Sequence, residues 1–450
     1  MTDVQELIDT ARPRSRIRGD LIGAAAAALL VAVAFVVPRT AGEHWRESLY
    51  AAAAPIFGHW LPHIGWGSVP AVGVAVAVVT SGSAVAARLA WRPLLGLAYV
   101  VALAWTFSLA LVDGWERGFV HRFEDPNEYL FEVGGVTDIP AMLRGFADRI
   151  LDFRPDSWTT HVSGHPPGAL LFFVLLDRIG LGGATWAGVV CTLIGCSAVV
   201  AVAVALRALG AEAHARAALP FLALAPAAVW IAVSADAMFA GVTTWAVALL
   251  AMATRATRAM VPFAVAAGTL FGLGIYLSYG LVLMALPAVA VLVAARTWRP
   301  LLPAVLGALL VVAVFTAAGF WWFDGYHLVV QRYYQGIAKT RPFGYWWWGN
   351  LAATVCAVGL AVAAAVPRAL RPARLRGLDP AALLVAAGVS AILLADASGL
   401  SKAETERIWL PFDMWLLAAP GFLPYRDTRV WLAVQALGTL VLVHLLMTNW

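Results

Sequence analysis

Apolar runs near twenty residues long recur from end to end of the chain, and they decide the fold class before any motif is considered. A helix needs about 20 residues to cross a hydrocarbon core of about 30 Å. Only helices and closed barrels satisfy their backbone polar groups in lipid, and the alternating ten-residue segments of a barrel are absent. Charged residues are 13% of the chain and hydrophobic residues 62%, where a soluble domain is roughly 25% charged. The expected fold is an all-α, polytopic transmembrane helical bundle of about thirteen spans. They are placed at about 20–38, 69–88, 94–113, 184–207, 215–233, 236–254, 259–276, 280–296, 301–319, 346–366, 380–397, 409–424 and 428–447.

Arginine sets the expected orientation. Arg88/Arg92, Arg207/Arg216, Arg255/Arg258, Arg296/Arg299, Arg368 to Arg376 and Arg426/Arg429 occupy every second gap. With the N-terminus these gaps hold 18 of the 31 basic residues. The positive-inside rule puts them in the cytoplasm and gathers most acids on the other face. Basic charge distributed in this way implies no nucleic-acid partner. Arg12, Arg14, Arg16 and Arg18 precede the first apolar run, and no small-residue cleavage site follows it. That run is expected to remain as a span rather than to be removed as a signal peptide. Cys191, Cys196 and Cys356 fall within spans, without disulfide or metal spacing. The expected protein is a multi-pass plasma-membrane protein with a cytoplasmic N-terminus.

One long polar interruption, Asp113 to Gly183, breaks the apolar pattern. It divides the chain into three parts. Residues 1–113 are the N-terminus and first three spans, 114–183 a large extracytoplasmic loop, and 184–450 a bundle of about ten helices with an outer loop at 320–345. Within the large loop, Ile139, Met142, Leu143, Phe146 and Ile150 recur at helical spacing, with Asp138 placed to cap and Pro140 in the first turn. Pro167 to Leu181 is a second apolar stretch, stopped by Gly180, Gly182 and Gly183. At 1.5 Å per residue it reaches about 22 Å, short of a span. A crossing there would also turn twelve later arginines outward. Two interfacial helices are expected, roofing one end of the bundle. Residues 320–348 interleave aromatic residues with Arg332, Lys339 and Arg341. Such a pattern anchors at a bilayer boundary, or stacks on a sugar and holds a phosphate.

The candidate chemistry lies on the same face. Asp113 ends the third span, with Glu116 beyond it; a carboxylate there can take a proton from an acceptor hydroxyl. Glu124, Asp125 and Glu128 form a second acidic group around Pro126, which favours a turn. His161 and His165 flank Val162-Ser163-Gly164, and the Pro-Pro pair after His165 starts the second interfacial helix. The Gly and Pro residues disfavour a two-histidine metal site and leave hydrogen bonding to a phosphate or sugar as the more natural role. Asp236 sits in a short outer turn, where an acid is costly unless solvated or paired. Ser401 to Arg407 precedes the twelfth span and carries Lys402, Glu404 and Arg407, which could hold a lipid phosphate or anchor the span.

The order of these features resembles the GT-C superfamily of integral-membrane glycosyltransferases that use lipid-phosphate sugars. The likeness rests on the acid after a span, Glu128-Tyr129-Leu130, the His165-Pro166-Pro167-Gly168 run, the Ser234–Ala237 turn with Asp236, and Ser278-Tyr279-Gly280. It is strongest over 105–280, and the style of the sequence is closest to actinobacterial-type members. The resemblance implies inverting transfer of a sugar from a polyprenyl-phosphate donor to a glycan, lipid or protein acceptor on the extracytoplasmic face. It implies a loop carboxylate as base, which falls on Asp113 first, with Glu124, Asp125 and Glu128 as rivals. It implies donor or acceptor contacts at His161, His165, Asp236, Tyr279, Arg341, Lys402, Glu404 and Arg407. No cofactor is required; a divalent metal is compatible with the chemistry. Arabinofuranose and mannose donors both suit the setting. The sequence departs from the pattern in two extra leading spans, in Gly114-Trp115 between Asp113 and Glu116, and in Ala235 where a proline is common. Two other classes remain open: a transporter or lipid-linked-sugar flippase, and a membrane polysaccharide ligase or acyltransferase. The crowding of acids at one face, rather than at mid-depth, favours surface chemistry.

Overall fold

The computed structural model describes residues 13–449; Arg12 lies outside them. The chain is almost wholly helical. Among the described residues, eight helices are long and apolar enough to cross a membrane: Arg18–Thr40, Ser68–Arg88, Trp91–Ala110, Ala184–Ala208, Ala235–Arg255, Met260–Leu277, Pro380–Ala397 and Tyr425–Leu445. Two bent pairs raise the number to ten. Leu301–Ala317 turns by 75° into Trp322–Gln335, and Phe343–Val358 by 102° into Leu360–Ala369. This is the helical bundle of a multi-pass membrane protein.

The thirteen expected segments are all helical in part, but five are not single helices of spanning length; two of these are 301–319, whose helix ends at Ala317, and 346–366, which bends at Gly359. The segment 215–233 divides into Glu212–Ala223 and Ala228–Ile231. The segment 409–424 divides into Leu410–Leu416 and the turn Ala419–Phe422. Tyr279–Ala295 is short and begins as a tight 3-10 turn. Pro220, Pro226, Pro411 and Pro420 each remove a backbone donor in the broken segments. Every residue from Ala218 to Gly241 and from Trp409 to Pro420 is buried. Irregular backbone at membrane depth is tolerated when protein encloses it, so hydropathy alone, which sees only apolar length, does not reveal these breaks.

Small residues bring the long helices together. A Cβ at Gly268 would lie 1.8 Å from the Ala304 carbonyl oxygen, and one at Gly307 would lie 2.4 Å from that of Val265. Met260–Leu277 and Leu301–Ala317 therefore touch backbone to backbone, as small residues permit in lipid.

Contacts sort the loops to two ends. At the arginine end, Arg368 forks onto Asp20 at 2.5 and 2.6 Å, Arg216 donates to the Ala86 and Leu89 carbonyls, and His214 meets the Ala418 carbonyl at 2.9 Å. The long loop covers the other end. Its first expected helix is present as Ile139–Gly145 with the turn Ala147–Arg149; the Asp138 side chain accepts from the Ala141 amide at 3.0 Å, and Met142, Leu143, Phe146 and Ile150 are buried. Its second is Pro167–Arg178. Arg178 donates to the Val136 and Thr137 carbonyls, while His165 beside the other end meets Tyr129. Both ends of this helix thus lie against the same loop, and it does not pass through the bundle. Trp322–Gln335 adds a third helix to the roof. The C-terminal strand Leu446–Thr448 pairs antiparallel with Gly58–Trp60 at this end. Loop and bundle share one hydrophobic core, which includes Trp105, Phe146, Trp158 and Phe239.

Candidate functional site

Local backbone devices present the polar residues at the loop end. Ala403 and Glu404 both adopt left-handed conformations, φ 72° and 62°, which cost non-glycine residues about 1–3 kcal/mol and cluster at functional sites. Asn350 holds this turn. It donates to Asp396 at 2.8 Å and to the Ser401 carbonyl at 2.7 Å, and accepts from the Ala403 amide at 3.2 Å. The turn launches the short helix Thr405–Ile408 and points Arg407 inward. Opposite it, the Ser234 side chain caps Ala235–Arg255 through the Ala237 amide. Asp236 then falls in the first helical turn, where the N-terminal dipole favours a carboxylate.

Arg407 joins three parts of the chain. It donates to Asp236 at 2.5 Å, to Glu404 at 2.8 Å and to Nε2 of His161 at 3.0 Å. A guanidinium only donates, so Nε2 accepts and Nδ1 carries the ring proton in this geometry. Nδ1 lies 3.1 Å from Glu128. Glu128, His161, Asp236 and Arg407 are all buried. Burial lowers the His161 pKa, and the charge and hydrogen bond of Glu128 more than offset it, so the net direction is upward. Burial likewise raises Glu404, and Arg407 and Arg341 more than reverse that, leaving it lowered.

His165 sits one turn beyond His161. Its Nδ1 lies 2.8 Å from the His161 carbonyl oxygen and 2.9 Å from the Tyr129 hydroxyl. A carbonyl only accepts, so Nδ1 is the protonated nitrogen. Burial lowers the His165 pKa to about 4, and the ring is neutral at physiological pH. A second group of cations adjoins the cluster through Glu404. Arg341 donates to the Leu49, Tyr50 and Lys402 carbonyls and reaches Glu404 at 3.4 Å. Lys402 donates to the Ala338 carbonyl at 3.0 Å and lies 5.7 Å from the Tyr334 ring centre.

Of the residues singled out in the sequence, Glu128, His161, His165, Asp236, Arg341, Lys402, Glu404 and Arg407 converge here. The others do not. Asp113 is held by His63 at 2.6 Å and Arg122 at 3.0 Å, and Arg122 also donates to the Thr448 carbonyl, tying this acid to the C-terminal strand. Glu124 is exposed and 3.1 Å from His121. Asp125 is exposed and accepts from the Asn127 amide. Tyr279 packs edge-on against Trp322. Sequence reasoning missed Asn350 and Asp396, and placed Arg332 only among the basic residues between the aromatic side chains of 320–348. Arg332 pairs with Asp152 and donates to Ser163 at 3.2 Å, pinning the aromatic helix to the loop. The available signal was the same for Asn350 and Asp396: a lone polar side chain within an apolar run.

Among the described residues, no group of three or more His, Cys, Asp or Glu side chains is arranged to hold a metal ion. Beside the cluster, a cavity of about 170 Å³ lies between Leu130, Val133 and Gly134 on one side and Phe173, Leu176 and Ala187 on the other. Asp177 also lines it, so its wall is mixed, apolar with a polar edge. No protein-family model, no curated protein and no solved structure matches the chain.

Proposed function

We propose that this protein is an inverting GT-C-type glycosyltransferase of the plasma membrane. It moves a sugar from a polyprenyl-phosphate donor to a cell-envelope glycan, lipid or protein acceptor at the loop end of the bundle, on the extracytoplasmic side, with thirteen crossings and a cytoplasmic N-terminus. The observation that carries the reading is the Arg407 cluster. Glu128, His161, Asp236, Glu404 and Arg407 come from four separate stretches of sequence and meet beneath a roof of amphipathic helices. Such an arrangement preorganises charge in a water-poor place, where it acts most strongly.

In this reading Glu128 is the base, in preference to Asp113, whose carboxylate is occupied by His63 and Arg122. Glu128 takes the acceptor proton as the hydroxyl oxygen attacks the anomeric carbon from the side opposite the phosphate. The bond to the phosphate oxygen breaks, and the phosphate leaves as an anion that needs no proton. Lys402 uses one of its three donors on Ala338 and turns the others toward that anion. Neutral His165 offers the Nε2 lone pair to a sugar hydroxyl. The Leu130, Val133 and Phe173 side of the cavity accepts the first part of the lipid chain.

The test uses purified protein in lipid nanodiscs and a panel of polyprenyl-phosphate sugars. Turnover by wild type, a drop of about 100-fold or more in Glu128→Gln and retention in Asp113→Asn are expected. Full turnover in Glu128→Gln removes the base assignment, and no binding of any donor removes the transferase reading. A flippase is the second reading. The buried broken segments at 212–231 and 405–422 favour it, because transporters build their sites on interrupted helices. Donor binding and translocation without transfer would select it.

A further inference from the structure

Two further acids lie on the segment that carries Arg407, and the transfer step uses neither. Glu406 and Asp413 are fully buried. Among the described residues, neither carboxylate oxygen of Asp413 has a hydrogen-bond partner, and Oε2 of Glu406 has none. The other Glu406 oxygen accepts from the Phe57 amide at 2.8 Å. Buried polar groups are nearly always hydrogen-bonded, so two such acids on one short stretch call for a physical reason.

The backbone sets them in line. The Trp409 amide donates to the Thr405 carbonyl at 3.1 Å, Asp413 to Trp409 at 3.0 Å, and Leu417 to Asp413 at 3.0 Å. Helical bonding thus continues across the junction at Trp409, and residues seven apart share a face. At 1.5 Å per residue Asp413 lies about 10 Å beyond Glu406, deeper in the bundle.

The surrounding charges are engaged elsewhere. Asp236 on Ala235–Arg255 is bonded to Arg407, and Asp396 on Pro380–Ala397 accepts from Asn350 on Phe343–Val358. Arg255 and Arg207 end their helices at the arginine end. The remaining titratable groups on these walls are Cys191, Cys196, Cys356, Tyr279 and Tyr345, whose hydroxyl donates to the Ala34 carbonyl, and none of them hydrogen-bonds to Asp413. Glu404 and Arg407 flank Glu406, whose pKa burial pushes up to about 7. An unpartnered negative charge at this depth is strongly disfavoured, and a carboxyl there takes up a proton instead. Ionisable residues within a bundle mark proton or ion pathways.

We propose that Asp413 is an interior proton-binding site and that Glu406 is the second carboxyl, linking it to the loop end. A hydronium ion at that end gives up one proton: its O–H bond breaks to leave water, and the O–H bond of Asp413 forms; release through Glu406 is the reverse. The site is independent of sugar transfer and serves a transferase or a flippase alike.

The test is infrared spectroscopy of the full chain in nanodiscs, with the aspartate side-chain carboxyl labelled with carbon-13. At neutral pH a protonated carboxylic-acid band is expected that shifts on labelling. It should persist in Asp396→Asn, be lost in Asp413→Asn, and fade reversibly as the pH is raised. Absence of the band in wild type overturns the proposal, and so does its survival in Asp413→Asn. A band unchanged at every pH at which the protein stays folded also overturns it, because it marks a permanently neutral acid. The wild-type titration decides two of these outcomes even where Asp413→Asn does not fold. No donor lipid is used, so the result is separable from the fate of the transferase reading.

Discussion

Arg407 neutralises two carboxylates and fixes one imidazole, and its removal leaves Asp236 and His161 buried and Glu404 half-buried without it. Arg407→Met should therefore destabilise the protein by about 3–5 kcal/mol, the usual cost of stranding a buried charge. Adding Asp236→Asn should return part of that loss, which a double-mutant cycle of thermal unfolding in detergent measures. Independent, additive effects would show that the pair is not coupled. The two histidines give opposite pH slopes. His165 falls to about 4 in the folded protein, from an ordinary value of about 6.5. Its neutral form is favoured by folding, so that stabilisation is complete above about pH 6.5 and is lost as the pH falls toward about 4, on the order of 3 kcal/mol in all. His161 is raised, so its contribution is complete below about pH 6.5 and is lost as the pH climbs through the raised value. His165→Asn should flatten the acid limb of a stability–pH curve, and Glu128→Gln the neutral-to-alkaline limb. The polar members of this cluster are visible in the sequence because each interrupts an apolar pattern. Their partnership is not, since Asp236 and Arg407 stand 171 positions apart. Asp113 misleads for the same reason: its partner His63 is 50 residues earlier.

At the scale of elements, the roof depends on how closely its helices approach the bundle. Gly168 opens the second roof helix against Met260–Leu277, and a Cβ there would lie 2.5 Å from the Tyr276 carbonyl oxygen. That oxygen belongs to backbone and yields only if a helix moves. Gly168→Ala should cost about 1–3 kcal/mol, as overpacking does, and should shift His165, three residues earlier, away from Tyr129. Tyrosine fluorescence or histidine NMR would register the shift. A variant with wild-type stability and spectra would show that the two helices are not in the described contact. The cap at Asp138, Pro140 in the first turn and the apolar spacing to Ile150 make the first roof helix legible locally, since caps and periodicity are local signals. The breaks at 224–227 and 417–418 are less so. They depend on being enclosed by other helices, which a single apolar run does not record.

For the whole molecule, the proposed transfer reaction depends on which way the bundle points, and arginine supplies the argument. Arg207, Arg216, Arg368 and Arg374 lie at one end with Asp20 and His214, while the roof, the Arg407 cluster and the C-terminal strand lie at the other. The positive-inside rule then predicts that the arginine end is cytoplasmic. Cysteine labelling in intact cells tests this directly. Asp156 in the long loop and Ala373 in the arginine-rich loop are both exposed. Cys191 and Cys196 are buried and Cys356 partly so, which keeps native labelling low. Asp156→Cys should react with a membrane-impermeant maleimide from outside, and Ala373→Cys only after the membrane is opened. The reverse pattern would move the cluster to the cytoplasm, where polyprenyl-phosphate sugars are not the expected donors, and would end the proposed function while leaving the bundle as described. Labelling of both positions from outside would mean an odd number of crossings is missing between them, with the broken segment at 212–231 the first place to look.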